Sequence, residues 1–520
     1  MANTNLFQGL RGRFLPPADT INEAGGPAYA LGREHSLAQY AATGCLNGTF
    51  YASAEVQLDA VLALCEDVDP AFIARTAVYC RERGYMKDMP ALLVAALTLR
   101  GPEHLPAVFG RVIDNGKMLR NVVQILRSGA VGRKSLGTRP KRLVQQWLNG
   151  AGERALLAAS VGTRPSLADV VRMVHPKPAE AWRAAFFAWL IGKPYDPAAL
   201  PPITQAYEAY KQARAEGRQA PVPEVPFQML ASLDLDAQAW AEVARQGGWQ
   251  MVRMNLTTFA RHGVFALPGM AEDIAAKLRD PAAIARARVF PYQLLAACQA
   301  AGDELPAVVR DALQDALELA LANVPQVEGR MVVCPDVSGS MHSPVTGYRA
   351  GASSAVRCVD AAALVAATFL RKQPDTVVVP FKEDVVTLKL NPRDTVMTNA
   401  QKMAAIGAGG TDCSAPLAWL NHRRVSAELV MLVSDNQSWM DARHGATQTL
   451  REWERFKSRN PKARLVCLDM QPYARSQAPE RDDILNIGGF SDSVFQVVAA
   501  FAAGQLQAGH WVGEISAVTL

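Results

Sequence analysis

The stretch Arg330-Met-Val-Val-Cys-Pro-Asp336-Val-Ser338-Gly-Ser340 runs from an apolar segment into one acid and two hydroxyls at alternate positions. In an extended loop alternate side chains face one way, so Asp336, Ser338 and Ser340 can reach a single point. Two later stretches offer the same kind of atom. Thr411 sits in Gly409-Gly410-Thr411-Asp412, and Asp435 follows Ser434 at the end of the apolar run Leu429 to Val433. Oxygen donors from three separated loops imply a hard divalent cation, and carboxylates mixed with hydroxyls, with room for water, suit Mg²⁺. A Ser-rich turn with a helix N-cap would explain Asp336-x-Ser338-x-Ser340 alone, but it leaves Thr411 and Asp435 as coincidences. Phosphotransfer with Asp336 as nucleophile would want a second acid near position 338, where Ser338 stands.

With all five positions filled, the pattern resembles the metal-ion-dependent adhesion site of the von Willebrand factor A domain, over residues from about 329 to 520. The surrounding periodicity predicts a doubly wound α/β domain with the three loops at carboxyl ends of parallel strands. A helix is expected over Ala352 to Lys372. Two β-rich runs, Thr376 to Phe381 and Val385 to Leu390, joined by Lys382-Glu-Asp384, read as a hairpin-like edge. Leu429 to Val433 and Leu465 to Met470 read as buried parallel strands flanking an amphipathic helix over the region from Trp439 to Lys457. The ion would either clamp three loops or dock a carboxylate from an acidic protein ligand, and the residues leave both open.

A chain of 520 residues exceeds what one core usually organises, so residues 1–325 are expected to form a second domain. They show almost no strand signal. Segments such as Ala54 to Cys65, Pro70 to Gly84, Pro90 to Arg100, Ser166 to Val174, Asp236 to Gln246 and Leu305 to Asn323 carry helical spacing, and many open on Pro, Ser or Asp. Short helices joined by short turns pack best as HEAT-like helical repeats. Gln212 to Val225 reads as an exposed loop.

Charge in this half is uneven. From Arg111 to Arg142 nine basic residues face the single acid Asp114, a local net of +8 in a chain that is +5 as a whole. Charged solvated faces usually mix signs, so this window reads as a polyanion footprint. Gly129, Gly132 and Gly137, with Ser128, Ser135 and Thr138, are expected to keep a loop flexible and let backbone N–H groups approach phosphates. Ser128-Gly-Ala-Val-Gly-Arg133-Lys134-Ser135 is not a nucleotide phosphate loop: the spacing is one short, Arg holds a Gly place and no strand precedes it.

Leu37 to Tyr51 with Gly48-Thr-Phe-Tyr51, Val122 to Trp147, and Ser166-Leu-Ala-Asp-Val-Val-Arg172-Met-Val-His175-Pro-Lys177 resemble the TROVE module, as do Met254-Asn-Leu256 and Arg288-Val-Phe-Pro291-Tyr-Gln-Leu-Leu. Followed by the Asp336 motif, nearly the whole chain resembles the Ro ribonucleoprotein autoantigen family. The resemblance implies a ring of helical repeats closed by the A domain. It further implies RNA partners, namely small noncoding Y-like RNAs on an outer surface and single-stranded 3′ ends of misfolded RNA, together with an exoribonuclease. By motif match Arg172, His175 and Lys177 belong to the RNA surface, with Arg127, Arg133, Lys134, Arg139, Lys141 and Arg142 as phosphate contacts. Taken alone, a His before Pro is more often a cap or core residue. Phe50, Tyr51 and Tyr85 are weak base-stacking candidates.

No catalytic set is legible, and no enzyme is expected. The rival from another class is an intracellular, metal-dependent protein adaptor without an RNA role. Eight cysteines, none in a Cys-x-x-Cys pair, point to a reducing compartment and no structural zinc. With no leader-like start and no apolar run near the ~20 residues that span a bilayer, a cytoplasmic protein away from membranes is expected.

Overall fold

The computed structural model describes residues 15–287, 289, 291–348, 356–439, 445–489, 492–506 and 509–520. Parts of three expected features therefore lie outside the described residues: the Arg288 motif at 288 and 290, the start of the helix from Ala352, and 440–444 of the region after Trp439. The chain divides into two compact units. One holds the described residues up to Gln57 together with Pro325–Glu514, and the other holds Leu58–Val324 with Ile515–Leu520. The division between Val324 and Pro325 lies next to the expected boundary between 325 and 329, while residues 15–57 pack with the α/β unit and Ile515–Leu520 with the helical one.

That unit contains strands β1 (Thr20–Ile21), β2 (Pro27–Ala30), β3 (Met331–Pro335), β4 (Val377–Val378), β5 (Leu429–Ser434), β6 (Arg464–Asp469), β7 (Arg475–Ser476) and β8 (Ile484–Gly488). Five form a parallel sheet in the order β4-β3-β5-β6-β8. The residues of β3 and β5 are all buried, as expected of strands covered on both faces. The helix Cys358–Lys372 is buried over Cys358 to Leu370, which matches its apolar character around the whole circumference. On one side of the sheet Leu450, Trp453 and Phe456 of the helix Gln448–Arg459 pack with Val332, Cys334 and Leu432. The chain leaves β3 for β4 on one flank and returns to β5 on the other. The carboxyl ends of β3 and β5 therefore form the crevice where open α/β sheets bind ligands.

The expected hairpin is not present. Only Val377–Val378 joins the sheet, with single bridges from Phe381 to Asp336 and to Val385, and 386–390 pairs with no strand. Its alternation reflects a half-exposed extended segment, and the Lys382–Asp384 turn is occupied in holding another loop. The helix expected from Trp439 begins, among the described residues, at Gln448, where the Thr447 side chain caps Leu450 N–H.

β1, β2 and β7 form a small antiparallel sheet that seats the N-terminal segment on the α/β unit. His35, on the helix Arg33–Thr43, lies edge-on to Trp511 with ring centroids 5.6 Å apart. Burial, with a smaller contribution from His510, lowers its pKa from 6.5 to about 4 against a raising bond with the Asn486 backbone. The unfolded chain therefore binds a proton that the folded one refuses, so stability is present above pH 6.5 and is lost as pH falls toward 4. The full effect is on the order of 3 kcal/mol. Melting His35→Gln beside the wild type across this window is expected to show a shallower acid loss in the variant.

The helical unit follows the sequence closely. Asp69, Ser166 and Asp236 each cap a helix with a side-chain oxygen, Ser166 within a full capping box with Asp169. Helices pack on near neighbours in the chain, as helical repeats do. The helix Pro202–Ala215 runs into the segment expected as a loop, which begins after Ala215.

Candidate functional site

Asp336 follows β3 and donates its backbone N–H to the Val433 carbonyl of β5 at 2.9 Å. Its carboxylate accepts the Ser338 N–H at 2.8 Å and the Ser434 hydroxyl at 2.6 Å. The Ser338 and Ser340 hydroxyl oxygens lie 3.5 Å apart, so alternation along the loop aims them together as expected. Gly339 N–H donates to the Gly409 carbonyl at 2.9 Å, joining this loop to the one that bears Thr411. The Thr411 loop is also held by Glu383, which accepts Gly410 N–H at 2.6 Å, and its carbonyl oxygen at Thr411 accepts Trp439 N–H at 3.3 Å. Asp412 points elsewhere and caps Ser414. Asp435 accepts the Gln437 N–H at 3.2 Å.

All five residues are buried. Burial, reinforced by the charge of Asp336, pushes the Asp435 carboxyl up to about 7. Burial also raises Asp336, against the hydrogen bonds from Ser338 and Ser434. Among the described residues no Lys, Arg or His forms an ion pair with either acid. Two adjacent buried carboxylates without a counter-charge are strongly unfavourable. A cation between them would remove that cost, so the residues present fit a divalent ion. No group of three or more His, Cys, Asp or Glu that could hold a metal exists among the described residues, so the hydroxyls of Ser338, Ser340 and Thr411 would be essential to the shell.

The N-terminal segment frames this site. Asn22 donates to the Ser438 carbonyl at 2.6 Å, and Glu23 N–H donates to the Gln437 side chain at 2.8 Å, both just beyond Asp435. Gly26 lies so close that a Cβ there would stand 2.1 Å from the Ser438 oxygen. Burial, with the charges of Asp435 and Asp336, pushes the Tyr51 hydroxyl up to about 12.

In the helical unit a groove of about 630 Å³ is lined by Arg127, Lys134, Lys141 and Arg142, together with Gln145 and Met173. Arg127 ends the helix Gly116–Ser128, Lys134 lies in the turn, and Lys141 and Arg142 open the helix Thr138–Gly150. Among the described residues none of these four cations is ion-paired or hydrogen-bonded. Gln145 donates to the carbonyls of Val174 and His175 at 2.6 and 3.3 Å, which holds the end of the helix Leu167–Val174 beside the groove. Arg172, His175 and Lys177 are exposed there. His175 has φ 52° and caps the helix, so the bland reading of His-Pro as a helix end holds for its backbone while its ring remains outside.

Residues 330–502 match the family described as the Ro60 vWA domain. Over 526 aligned residues the chain is 29% identical to RNA-binding protein RO60 of Deinococcus radiodurans, covering 93% of this chain and 95% of that one. The crystal structure of the Deinococcus radiodurans RO (RSR) protein superposes with a TM-score of 0.62 at 26% identity, covering 91% of this chain and all of that one. The chain is thus similar to Ro proteins over nearly its whole length. It is also 26% identical over 246 residues to RNA-binding protein RO60 of Caenorhabditis elegans, across 45% of this chain and 37% of that protein.

Within this chain the structure redistributes two of the expected phosphate contacts. Arg133 donates to the Thr98 carbonyl at 3.1 Å, and Arg139 donates to the Pro102 carbonyl. Both guanidinium groups are spent on backbone carbonyls near the end of the helix Asp88–Arg100. The expected flexible glycine loop is a defined turn: Gly129, Gly132 and Gly137 have φ of 88°, 78° and 71°, and Gly132 N–H bonds the Gly129 carbonyl at 2.9 Å. Glycine is needed there for left-handed backbone. Tyr51, a weak base-stacking candidate by sequence, lies in the α/β unit within reach of the charges of Asp435 and Asp336.

Proposed function

We propose that this Ro protein binds RNA through the groove of its helical unit, forming ribonucleoproteins with small structured Y-like RNAs and engaging single-stranded 3′ ends of misfolded RNA in quality control. The observation that carries this reading is the convergence of Arg127, Lys134, Lys141 and Arg142, unpaired, on one groove with Arg172, His175 and Lys177 beside it. Phosphates would neutralise this cluster and release counterions. A tail with unstacked bases offers contacts a duplex hides. The RNA-binding relatives support the same reading. The protein would act in the cytoplasm by binding and without catalysis, with an exoribonuclease as its processing partner. Among the described residues no helix is long and apolar enough to cross a membrane.

Asp336, Ser338, Ser340, Thr411 and Asp435 would hold Mg²⁺, which when bound supplies positive charge at the carboxyl ends of β3 and β5. The adaptor reading draws on this site: Trp439 and Tyr348 are 51% and 56% exposed on the same unit and could border an acidic protein ligand. The two readings separate on one experiment. Binding of the purified protein to a hairpin RNA with a single-stranded 3′ tail is expected to be tight, to weaken steeply with salt and to survive EDTA. No binding near physiological salt would favour the adaptor.

A further inference from the structure

The loop that carries Thr411 has little structure of its own. Residues 407–412 belong to no helix or strand, and Gly407, Gly409 and Gly410 give the stretch wide backbone freedom. The turn Lys382-Glu383-Asp384 supplies what the loop lacks, because it is stitched to both ion loops. On one side Val337 N–H donates to the Phe381 carbonyl at 2.8 Å and Phe381 N–H donates to the Pro335 carbonyl at 3.1 Å, so the turn starts from the strand end that bears Asp336. On the other side Asp412 N–H donates to the Lys382 carbonyl at 2.9 Å, and the Glu383 carboxylate accepts Gly410 N–H at 2.6 Å. The glycines record how closely this clamp shuts. A Cβ at Gly409 would stand 2.4 Å from a Glu383 oxygen, and one at Gly410 would stand 2.8 Å from the Trp439 indole. The Glu383 side chain is itself 44% exposed, with the Lys382 ammonium 3.8 Å away, so its carboxylate is not part of the core.

We infer that Glu383 is a positioning residue for the ion site: its hydrogen bond to Gly410 holds the Thr411 loop against the Asp336 loop, so that Thr411 is in place before the ion arrives. This rests on the reading of Asp336, Ser338, Ser340, Thr411 and Asp435 as the ion's ligands. Mg²⁺ demands near-ideal octahedral geometry, so a loop that wanders withdraws its hydroxyl from the shell. A glycine-rich stretch has the most conformational entropy to lose on ordering, and a bond that orders it in advance removes that cost from the binding step. The bond is suited to the task, since a carboxylate accepting a backbone N–H is roughly twice as strong as a neutral pair. Outer partners that orient metal ligands typically change affinity by about 10- to 100-fold when removed. Coupling is reciprocal, so the ion in turn tightens the loop that Glu383 holds.

The test uses the full chain, with Mg²⁺ titrated calorimetrically and amide exchange over 407–412 followed in EDTA and in Mg²⁺. Glu383→Ala removes the bond, and Glu383→Gln keeps an acceptor oxygen without the charge. Gly409→Ala leaves Glu383 in the chain and displaces its carboxylate, because the new Cβ takes that space. Glu383→Ala is expected to exchange faster over 407–412 in EDTA and to bind Mg²⁺ about tenfold more weakly, with Glu383→Gln recovering most of the loss. Gly409→Ala is expected to weaken binding similarly and to add nothing in the Glu383→Ala background, since both act through one contact. Unchanged affinity in Glu383→Ala, equal losses in the Ala and Gln variants, or additive losses in the double variant would each overturn the role of Glu383 while leaving the ion site standing. Failure of the wild type to bind Mg²⁺ would overturn the ion-site reading and this inference with it.

Discussion

Replacing Arg127, Lys134, Lys141 and Arg142 together by Glu is expected to weaken binding of a tailed hairpin RNA at least about a hundredfold near physiological salt. The four line one groove and their side chains make no ion pair or hydrogen bond among the described residues, Arg127 acting only through its charge on Asp169, so charge reversal there is expected to act mainly on the ligand. Each lost phosphate contact lowers the salt slope by roughly 0.7 to 0.9, so the slope is expected to fall by about three. Filter binding over a salt series reads both quantities. The paired variant Arg133→Glu with Arg139→Glu is the informative contrast. These side chains hold the carbonyls of Thr98 and Pro102, so their loss is expected to lower the melting temperature while altering the salt slope less than the groove variant does. A fall of about 1.4 to 1.8 in the slope of the two-site variant would show that Arg133 and Arg139 act as phosphate contacts as well.

Asp435→Asn is expected to raise the melting temperature in EDTA and to abolish the response to Mg²⁺. In the wild type two buried acids face each other without a counter-charge, and burial plus the Asp336 charge holds the Asp435 carboxyl near 7. Removing one charge relieves that strain, whereas in the wild type Mg²⁺ would relieve it by binding. An ion at a hundred times its Kd stabilises by about 2.7 kcal/mol, which a melting curve resolves easily. RNA affinity of the folded variant is expected to be unchanged, since the groove belongs to the helical unit. A variant that melts lower in EDTA and still gains stability from Mg²⁺ would contradict this assignment of Asp435.

The chemistry-bearing positions were the most legible part of the sequence, because each is local. Met331 to Pro335 and Leu429 to Val433 are apolar in every position and are buried strands, and the oxygen donors follow at their ends. Ser166 and Asp236 announce helices through caps that involve only the next three residues. What sequence reading missed depends on distant partners. β1 and β2 are two and four residues long and exist through pairing with each other and, for β2, with Arg475–Ser476, so residues 15–57 carry no strand signal and read as part of the helical half. β8 was overlooked because Asn486 sits buried in its middle, a polar residue satisfied by Glu480 and the Ala478 carbonyl. Composition counted nine cations between Arg111 and Arg142 but could not tell which were already engaged. Arg111 pairs with Glu82, and Arg120 donates to the Val161 carbonyl at 2.6 Å. Tyr51 looked like any aromatic at helical spacing. The glycines beside Thr411 carry meaning only once their neighbours are known.

The most direct test of RNA binding by the helical groove is the salt dependence of affinity for one tailed hairpin RNA, measured in EDTA for the wild type and the four-site groove variant side by side. Expected is a steep slope and tight binding for the wild type, with both largely lost in the variant while its fold and melting curve are retained. Equal affinity and equal slope for the two proteins would contradict the account and return this chain to the protein-adaptor reading.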